Sequence, residues 1–499
     1  MAKLELTRTG DRLTIRFGEY ETESSWQMVT FQEQDRRRQF DDAGEYGRLL
    51  FERVLGGSEV GAALLGLQVG TRLQIVTEDP LAAAVGWEYL RTPDDTLLAG
   101  RLCFVRGLTA GPRLRSGLER TAARQDAGSL QIVAVPVSPA DQRHVLNVEA
   151  EWDGICAAVQ RAHRAVKLLR VRPPTVSQME RTFSGHASTI VHFMGHSDSE
   201  NGRGVMLFED ERGRSFAVTP QNFADSLDEN VLLVLLNSCR SALAADWTEF
   251  GNIARGLVRQ GIPYALGMQY SIPDPDAIAL SAALYDFLLS GRTVEDAVRR
   301  ARRVLLQDSS LPYGAWLAGI PALYTSLSDE DPPISVTSTA EGEPSIVPDI
   351  QQLRQTWDLT QLGARRQFVG RAAEISRLLD ILLDASRARL VVVHGLGGIG
   401  KTALVQAVAD RIGWRYGDCG LAYSFETFAR RSDQGVEVNP AFGGRFYSRL
   451  ARHYAIDAAQ YPDARALQYA ILQARQHRRD LLILDNMETL FDALERRLP

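Results

Sequence analysis

Residues 189–197 read Thr-Ile-Val-His-Phe-Met-Gly-His-Ser, and residues 231–239 read Val-Leu-Leu-Val-Leu-Leu-Asn-Ser-Cys. Each segment begins with a short apolar run, which is typical of a strand buried on both faces, and ends in polar residues. From residue 130 to Tyr324, apolar runs of this kind alternate with amphipathic helical patterns. This alternation predicts an α/β fold with an open, mainly parallel sheet and flanking helices on both of its faces.

The sequence before this region has a different pattern. Short alternating runs such as 13–17 and 72–76 are separated by turn-forming residues, and one helical pattern covers 44–54. We therefore predict a β-rich N-terminal segment over residues 1–125, followed by the α/β domain over residues 126–325.

A linker and a second α/β unit are predicted after residue 325. Residues 326–360 lack periodicity and are rich in Ser, Thr, Glu, Asp and Pro, which is the composition of a linker. Residues 361–499 return to alternating strands and helices. The predicted elements of this unit are helices over 372–383 and 402–411 and strands over 390–394 and 481–484.

The composition indicates a globular protein of two or three domains, with 499 residues of which 45% are apolar. A formal net charge of −6 gives no large basic field, so we expect no nucleic-acid partner. The four cysteines form no CxxC pair or metal-ligand spacing, which favours a reduced, cytoplasmic protein. The apolar runs are far shorter than the roughly 20 residues of a membrane span, so we expect no membrane partner.

Residues 395–402 read Gly-Leu-Gly-Gly-Ile-Gly-Lys-Thr and match the phosphate-binding pattern GxxxxGK[ST] between a predicted strand and a predicted helix. Glycine amides surround phosphate oxygens, the lysine supplies a positive charge, and the threonine hydroxyl ligates Mg²⁺. The motif therefore predicts that this loop binds the phosphate groups of a nucleotide together with Mg²⁺. The loop residues with these roles are Gly395, Gly397, Gly398, Gly400, Lys401 and Thr402.

A carboxylate follows the predicted strand 481–484. Asp485 is placed to reach Mg²⁺ through a water molecule, so we predict Thr402 and Asp485 as the metal-binding residues. Glu488 is a candidate to orient an attacking water. The alternatives are a polar residue that caps the strand for Asp485 and a solvated helix residue for Glu488.

His196 and Cys239 end the two quoted segments. Because the carboxyl ends of parallel strands share one edge of a sheet, we expect the two side chains to lie close together. A thiol beside an imidazole forms a thiolate nucleophile, and the same imidazole later protonates the leaving amine. The alternative for Cys239 is a small buried hydrophobic residue. We interpret His192 as a packed, hydrogen-bonded core residue.

Several motifs, in order over about residues 70–324, resemble the CHAT family, whose members are caspase-like peptidases related to separases. The motifs are Val76-Thr-Glu-Asp-Pro80, Trp87-Glu-Tyr-Leu90, Phe104-Val-Arg106, Val191-His-Phe-Met-Gly-His196, Leu235-Leu-Asn-Ser-Cys239, Phe287-Leu-Leu-Ser-Gly291, Thr293 to Arg302, Trp316 and Ala322-Leu-Tyr324.

The resemblance implies a caspase-like fold in which Cys239 is the nucleophile and His196 is its partner. It also implies an oxyanion hole formed by the backbone amides of Cys239 and Ser197. The family commonly has glycine at the position that Ser197 occupies here. Asp198 and Asp246 are either pocket carboxylates that select a basic substrate side chain, as in separase and clostripain relatives, or solvated loop residues.

Phe368-Val-Gly-Arg371 resembles the segment near the nucleotide base in the STAND ATPases, the NB-ARC and NACHT group. Only 14 residues follow Asp485, whereas a STAND module continues with further strands, a γ-phosphate sensor and helical subdomains. We therefore expect a partial NTPase domain, as in a fragment of a longer protein or a truncated product. This resemblance implies ATP or ADP with Mg²⁺ as ligands and self-association on activation.

These observations favour a cysteine endopeptidase that acts on a protein substrate and is regulated by an ATP-binding STAND module. The STAND analogy places it in bacterial signalling, defence or programmed cell death. One alternative is a nucleotide-driven signalling scaffold with an inactive caspase-like domain. Another is a plain ATPase or GTPase with a structural N-terminal domain.

Overall fold

The chain divides into two compact units, with the main boundary between Val347 and Pro348. We describe the fold from a computed structural model. The described residues are 2–29, 43–108, 129–139, 141–142, 146, 148–183, 187–200, 203–210, 213–237, 249–270, 272, 274–308, 314–328, 331–336, 342–347, 357–362, 371–383, 390–412, 420–426, 429–432, 435–438, 442–475 and 480–489.

The first unit is built around one twelve-stranded sheet. Its strands are β1 (Ala2–Thr9), β2 (Arg12–Phe17), β3 (Tyr20–Ser25), β4 (Arg72–Val76), β5 (Cys103–Gly107), β6 (Leu130–Pro136), β7 (Val166–Arg170), β8 (Ser188–Met194), β12 (Val231–Asn237), β13 (Tyr264–Met268), β14 (Pro321–Thr325) and β15 (Ser345–Val347). A separate small sheet contains β9 (His196–Glu200), β10 (Arg203–Glu209) and β11 (Ser215–Val218).

The strand order of the large sheet is β15-β7-β6-β8-β12-β13-β14-β5-β4-β1-β2-β3. The six strands from β15 to β13 are parallel, so their carboxyl ends share one edge. β14 is antiparallel to β13, and β5, β4 and β1 continue parallel to β14. The prediction of a mainly parallel sheet in an α/β fold is confirmed.

The β-rich N-terminal segment contributes to this same sheet. β1, β4 and β5 extend it beyond β14, and the hairpin of β2 and β3 forms its edge. At the opposite edge, Ser345–Val347 pairs with β7, although these residues lie within the segment predicted as a linker.

The helices of the first unit lie between these strands in the sequence. They are α1 (Trp26–Val29), α2 (Ala43–Leu55), α3 (Glu59–Leu65), α4 (Pro80–Ala83), α5 (Leu98–Arg101), α6 (Val148–Ala162), α7 (Val176–Thr182), α8 (Pro220–Asp225), α9 (Glu249–Arg259), α10 (Asp274–Leu289), α11 (Val294–Gln307) and α12 (Gly314–Leu317). No helix in the described part of the chain is both long and apolar enough to cross a membrane.

Alternate residues of the central strands face opposite sides of the sheet. Val191 and Phe193 of β8 pack in one core with α9 residues such as Ile253 and Leu257. The other side of β8 and β12 carries His192 and Asn237, which contact residues of α6 and α10. Burial on both sides explains why these strands read as continuous apolar runs in the sequence.

Three of the motifs that resemble the CHAT family meet in a buried polar cluster. Arg106 of β5 donates hydrogen bonds to Glu88, at 2.7 Å for the Nε to Oε1 bond, and Gln269 donates to the same carboxylate at 2.8 Å. The Tyr89 hydroxyl donates to the Trp316 carbonyl at 3.0 Å. These residues therefore join the N-terminal segment to the rest of the unit.

The second unit has a three-stranded parallel sheet of order β16-β17-β20 and a separate hairpin. Its strands are β16 (Trp357–Asp358), β17 (Gly420–Ser424), β18 (Ala429–Ser432), β19 (Gly435–Val438) and β20 (Leu481–Asp485). Its helices are α13 (Ala372–Leu383), α14 (Lys401–Ile412), α15 (Phe442–His453) and α16 (Ala464–Arg475). α13 and α14 share a core that includes Ile375, Leu379, Leu404 and Val408.

The prediction of a strand over 390–394 is wrong. The segment pairs with no strand in the described part of the unit, and Leu390 and Val392 are 81% and 73% exposed. Val393 lies against the core of α13 and α14, so only one side of the segment packs. Apolar content alone predicted the strand, but a strand also requires a hydrogen-bonded neighbour.

Candidate functional site

The carboxyl ends of β8 and β12 are joined by backbone pairing. Met194 is the register partner of Asn237, and the Gly195 amide donates to the Asn237 carbonyl at 3.2 Å. Glycine is needed at position 195 because a Cβ atom there would lie 2.6 Å from the Phe193 ring and 3.1 Å from Val137 Cβ. The close packing at this strand end therefore restricts the residue that precedes His196.

His196 and Ser197 begin β9 directly after this strand end. His196 is buried and pairs with Leu207, and Ser197 pairs with Met206. Ser197 lies in a strand and not in the left-handed region, so its backbone conformation does not require glycine. Its Oγ is buried, with no hydrogen-bond partner in the part of the chain that the structure describes.

Cys239 and Asp246 lie outside the described residues, so the predicted pairing of Cys239 with His196 stays a prediction. The pairing of β8 with β12 nevertheless shows that these two strands end side by side, at Met194 and Asn237. Met194 and Asn237 are register partners. His196 lies two positions after Met194, and Cys239 lies two positions after Asn237. Asp198 is exposed.

A buried polar network lies on the α6 and α10 side of these strand ends. Glu151 of α6 accepts hydrogen bonds from Asn237 Nδ2 at 2.5 Å and from the Ser281 hydroxyl at 2.8 Å. Glu151 Oε1 is also 3.1 Å from His192 Nε2, and His192 Nδ1 is 3.2 Å from the Tyr285 hydroxyl. The interpretation of His192 as a packed, hydrogen-bonded core residue is confirmed.

Cys103, Cys156 and His394 lie elsewhere in the structure. Cys103 is buried in β5, and burial raises the pKa of its thiol to about 12. Cys156 is half-buried on α6, and His394 is exposed. His186 and Cys419 lie outside the described residues.

The phosphate-binding loop has the backbone conformation that its glycines allow. Gly398 and Gly400 have φ values of 75° and 91°, which residues with a side chain rarely adopt. Lys401 begins α14, and its Nζ donates to the carbonyl oxygens of Gly395 and Leu396 at 3.1 and 3.2 Å. Gly397 lies between these residues, where a Cβ would have no neighbour within 4 Å.

Two predicted metal-binding residues meet beside this loop. The Thr402 hydroxyl donates to Asp485 Oδ1 at 3.0 Å, although 83 residues separate them in sequence. Glu488 is exposed. Arg371, from the segment that resembles STAND ATPases, donates a hydrogen bond to the Ile399 carbonyl in the loop.

Comparison with known families identifies both units. The CHAT domain family profile matches residues 44–333, which is more than half of the chain. The chain belongs to the CHAT-domain family. The matched range of the CHAT domain includes β8, β12 and the network around Glu151.

The profile of an AAA ATPase domain matches residues 367–498, a range that contains the phosphate-binding loop. The second unit is therefore similar to AAA ATPase domains over this range. The narrower assignment to the NB-ARC and NACHT group stays a prediction. No curated protein matches the chain.

Several solved structures are similar to the chain at low identity. The Saccharomyces cerevisiae separase–securin complex at 3.0 Å matches with 15% identity and a TM-score of 0.31, over 52% of this chain and 15% of the separase-complex chain. The Arg-specific cysteine proteinase gingipain R matches with 10% identity and a TM-score of 0.36, over 60% of this chain and 68% of its own. A complex of Porphyromonas gingivalis RgpB pro- and mature domains matches with 8% identity and a TM-score of 0.33, over 57% and 68%.

Sequence reasoning missed the acidic centre of the network in the CHAT domain. Glu151 reads as an ordinary charge in the first turn of an amphipathic helix, and Ser281 as a small helix residue. Asn237 lies in one of the motifs that resemble the CHAT family, but the sequence indicates no role for its side chain. Only the contacts among α6, α10 and the two strand ends reveal that these polar residues meet.

Proposed function

We propose that the CHAT domain is a cysteine endopeptidase in which Cys239 is the nucleophile and His196 the general acid and base. The observation that carries this proposal is the pairing of Met194 with Asn237 and the hydrogen bond from the Gly195 amide to the Asn237 carbonyl. This pairing aligns the two strand ends from which His196 and Cys239 follow at equal spacing.

In the proposed reaction, the Cys239 thiolate adds to the carbonyl carbon of the scissile peptide bond. The carbonyl π electrons move to oxygen, and the backbone amides of Cys239 and Ser197 stabilise the oxyanion. When the tetrahedral intermediate collapses, the C–N bond breaks and protonated His196 gives its proton to the leaving amine. A thioester remains on Cys239.

Hydrolysis of the thioester then regenerates the enzyme. Neutral His196 takes a proton from water as the water oxygen adds to the thioester carbon. Collapse of the second intermediate breaks the C–S bond, releasing a carboxylic acid and the Cys239 thiolate. The Cys239 thiolate and the His196 imidazolium are then restored for the next cycle.

We infer that the AAA ATPase domain binds ATP or ADP through Gly395, Gly397, Gly398, Gly400 and Lys401. The left-handed backbone at Gly398 and Gly400 and the positive charge of Lys401 fit phosphate groups. The hydroxyl of Thr402 and the carboxylate of Asp485, which lie together, are oxygen ligands suited to Mg²⁺. Bound Mg²⁺ would neutralise phosphate charge.

By analogy with STAND proteins, we propose that nucleotide state and self-association regulate cleavage of a protein substrate in bacterial signalling, defence or cell death.

The experiment that tests the peptidase proposal is site-resolved alkylation of the full chain with iodoacetamide from pH 5 to 9. We expect Cys239 to react fast at neutral pH in the wild type and to slow toward an ordinary thiol, with a pKa of about 8.5, in His196→Ala. His394→Ala, which removes an exposed histidine of the other unit, is the matched control and should leave Cys239 unchanged.

Cys103 provides an internal reference, since a thiol with a pKa of about 12 stays protonated over this pH range. If Cys239 in the wild type reacts no faster than an accessible ordinary thiol, or if His196→Ala does not slow it, the proposed dyad is refuted. That outcome would favour the signalling scaffold.

A further inference from the structure

Glu151 occupies a position that connects four elements at one edge of the sheet. Its carboxylate, on α6, accepts hydrogen bonds from Asn237 at the end of β12 and from Ser281 on α10. The same carboxylate lies 3.1 Å from His192 of β8. Each of these four side chains is more than nine-tenths buried.

A carboxylate is a costly group to bury unless several donors compensate its lost hydration. Here the donors come from β12 and α10, and His192 is held in turn by the Tyr285 hydroxyl at 3.2 Å. Asn237 also donates to the Ala277 carbonyl at 3.4 Å, which adds a second tie to α10. The network therefore ties the end of β12 and His192 of β8 to α6 and α10 through buried polar contacts.

The location of the network links it to the chemistry. Asn237 is the last residue of β12 and the register partner of Met194, and its carbonyl accepts the Gly195 amide. The side chain of Asn237 is thus held by Glu151 while its backbone holds the residue before His196.

We infer that Glu151 is a positioning residue, which acts through Asn237 to hold the ends of β8 and β12 so that His196 and Cys239 meet. This inference deepens the proposed peptidase function and rests on it. The hydrogen bonds of Glu151 run to Asn237 and Ser281, so its effect is on the geometry of the strand ends and not on proton transfer.

The test uses the full chain with two substitutions, Glu151→Gln and Ser281→Ala. Glu151→Gln keeps the shape of the side chain but removes its charge, and Ser281→Ala removes one donor and is the milder change. We expect Cys239 alkylation at neutral pH to fall by at least about 10-fold in Glu151→Gln, because a thiol with an ordinary pKa of about 8.5 is only a few per cent thiolate at pH 7. Its pH profile should shift upward toward an ordinary thiol, a change that lower stability alone would not cause.

Tyr264→Phe is the matched control for Ser281→Ala. It also removes one hydroxyl that donates to a buried carboxylate, Glu295, at 2.8 Å. Tyr264 is the first residue of β13, so it lies at the amino ends of the parallel strands and not at the carboxyl ends that precede His196 and Cys239. We expect Tyr264→Phe to lower the melting temperature without changing Cys239 reactivity. Hydrogen exchange of peptides covering 190–200 and 231–237 gives a second readout, and it should accelerate in Glu151→Gln and Ser281→Ala but not in Tyr264→Phe.

The outcomes separate this inference from the function on which it rests. If wild-type Cys239 is activated by His196 but folded Glu151→Gln and Ser281→Ala react like the wild type, the inference is overturned and the peptidase proposal stands. If wild-type Cys239 is not activated, the peptidase proposal fails and hydrogen exchange decides the positioning claim. Unchanged exchange at 190–200 and 231–237 would overturn it, and faster exchange confined to those peptides would support it.

Discussion

At the residue scale, the strand end before His196 leaves no free space for a Cβ atom at position 195. The Gly195 amide is used in a hydrogen bond to Asn237, and the space beside its Cα is filled by Phe193 and Val137. Gly195 is part of the motif at residues 191–196, but only the packing around it explains why the position is glycine. A side chain at this position would have to displace a ring that belongs to the core under β8.

We predict that Gly195→Ala destabilises the first unit by about 1–3 kcal/mol, because the added methyl overpacks this core. It should also slow Cys239 alkylation, since relief of the clash moves the strand end. Gly154→Ala is the matched control. Gly154 lies inside α6, where a Cβ would meet only Ile278 at 3.7 Å, so alanine should be neutral or stabilise by up to about 1 kcal/mol.

Chemical denaturation of both variants and the wild type measures this difference. Equal stability of Gly195→Ala and Gly154→Ala would show that the strand end relaxes freely and would contradict the packing argument.

At the element scale, apolar runs predicted the central strands well because those strands are buried on both faces. Val231 to Leu236 was predicted as a strand, and β12 covers Val231–Asn237. Residues 390–393 are also a run of Leu and Val but form no strand, because strand formation depends on a neighbour from a distant part of the chain. For the same reason, the sequence did not predict that β1, β4 and β5 join the sheet of the α/β domain.

The phosphate-binding loop carries a prediction at this scale. We expect Lys401→Ala to weaken binding of fluorescent Mg²⁺–ADP by about 10- to 100-fold, because a hydrogen bond from a charged group contributes about 1.5–3 kcal/mol. Gly398→Ala should weaken it too, since alanine is strained at a φ of 75°. Gly444→Ala, where a Cβ would have no neighbour within 4 Å, is the control on α15 and should bind like the wild type.

Fluorescence anisotropy titrations of the full chain provide the measurement. Wild-type affinity in Lys401→Ala would refute the assignment of this loop to phosphate binding, whatever the behaviour of Gly398→Ala.

At the scale of the whole molecule, each of the two units has a hydrophobic core of its own. We therefore predict two transitions in calorimetric unfolding of the full chain. Mg²⁺–ADP at about 100 times its dissociation constant should stabilise the nucleotide-binding unit by about 2.7 kcal/mol and raise the midpoint of one transition by roughly 5–10 °C. Val135→Ala, in the core beneath β8, should lower the other transition alone.

Lys401→Ala assigns the two transitions, since its roughly 10- to 100-fold weaker affinity should reduce the stabilisation by the same Mg²⁺–ADP concentration to about 0.4–1.4 kcal/mol while leaving both transitions in place. A peptidase regulated by nucleotide requires in addition that the ligand change Cys239 reactivity, which the alkylation assay measures on the same samples. If Mg²⁺–ADP raises one midpoint and leaves the Cys239 rate unchanged, the loop binds nucleotide but the proposed control of cleavage is refuted for this chain. A changed rate that requires a roughly 10- to 100-fold higher Mg²⁺–ADP concentration in Lys401→Ala would instead connect the two activities through one bound ligand.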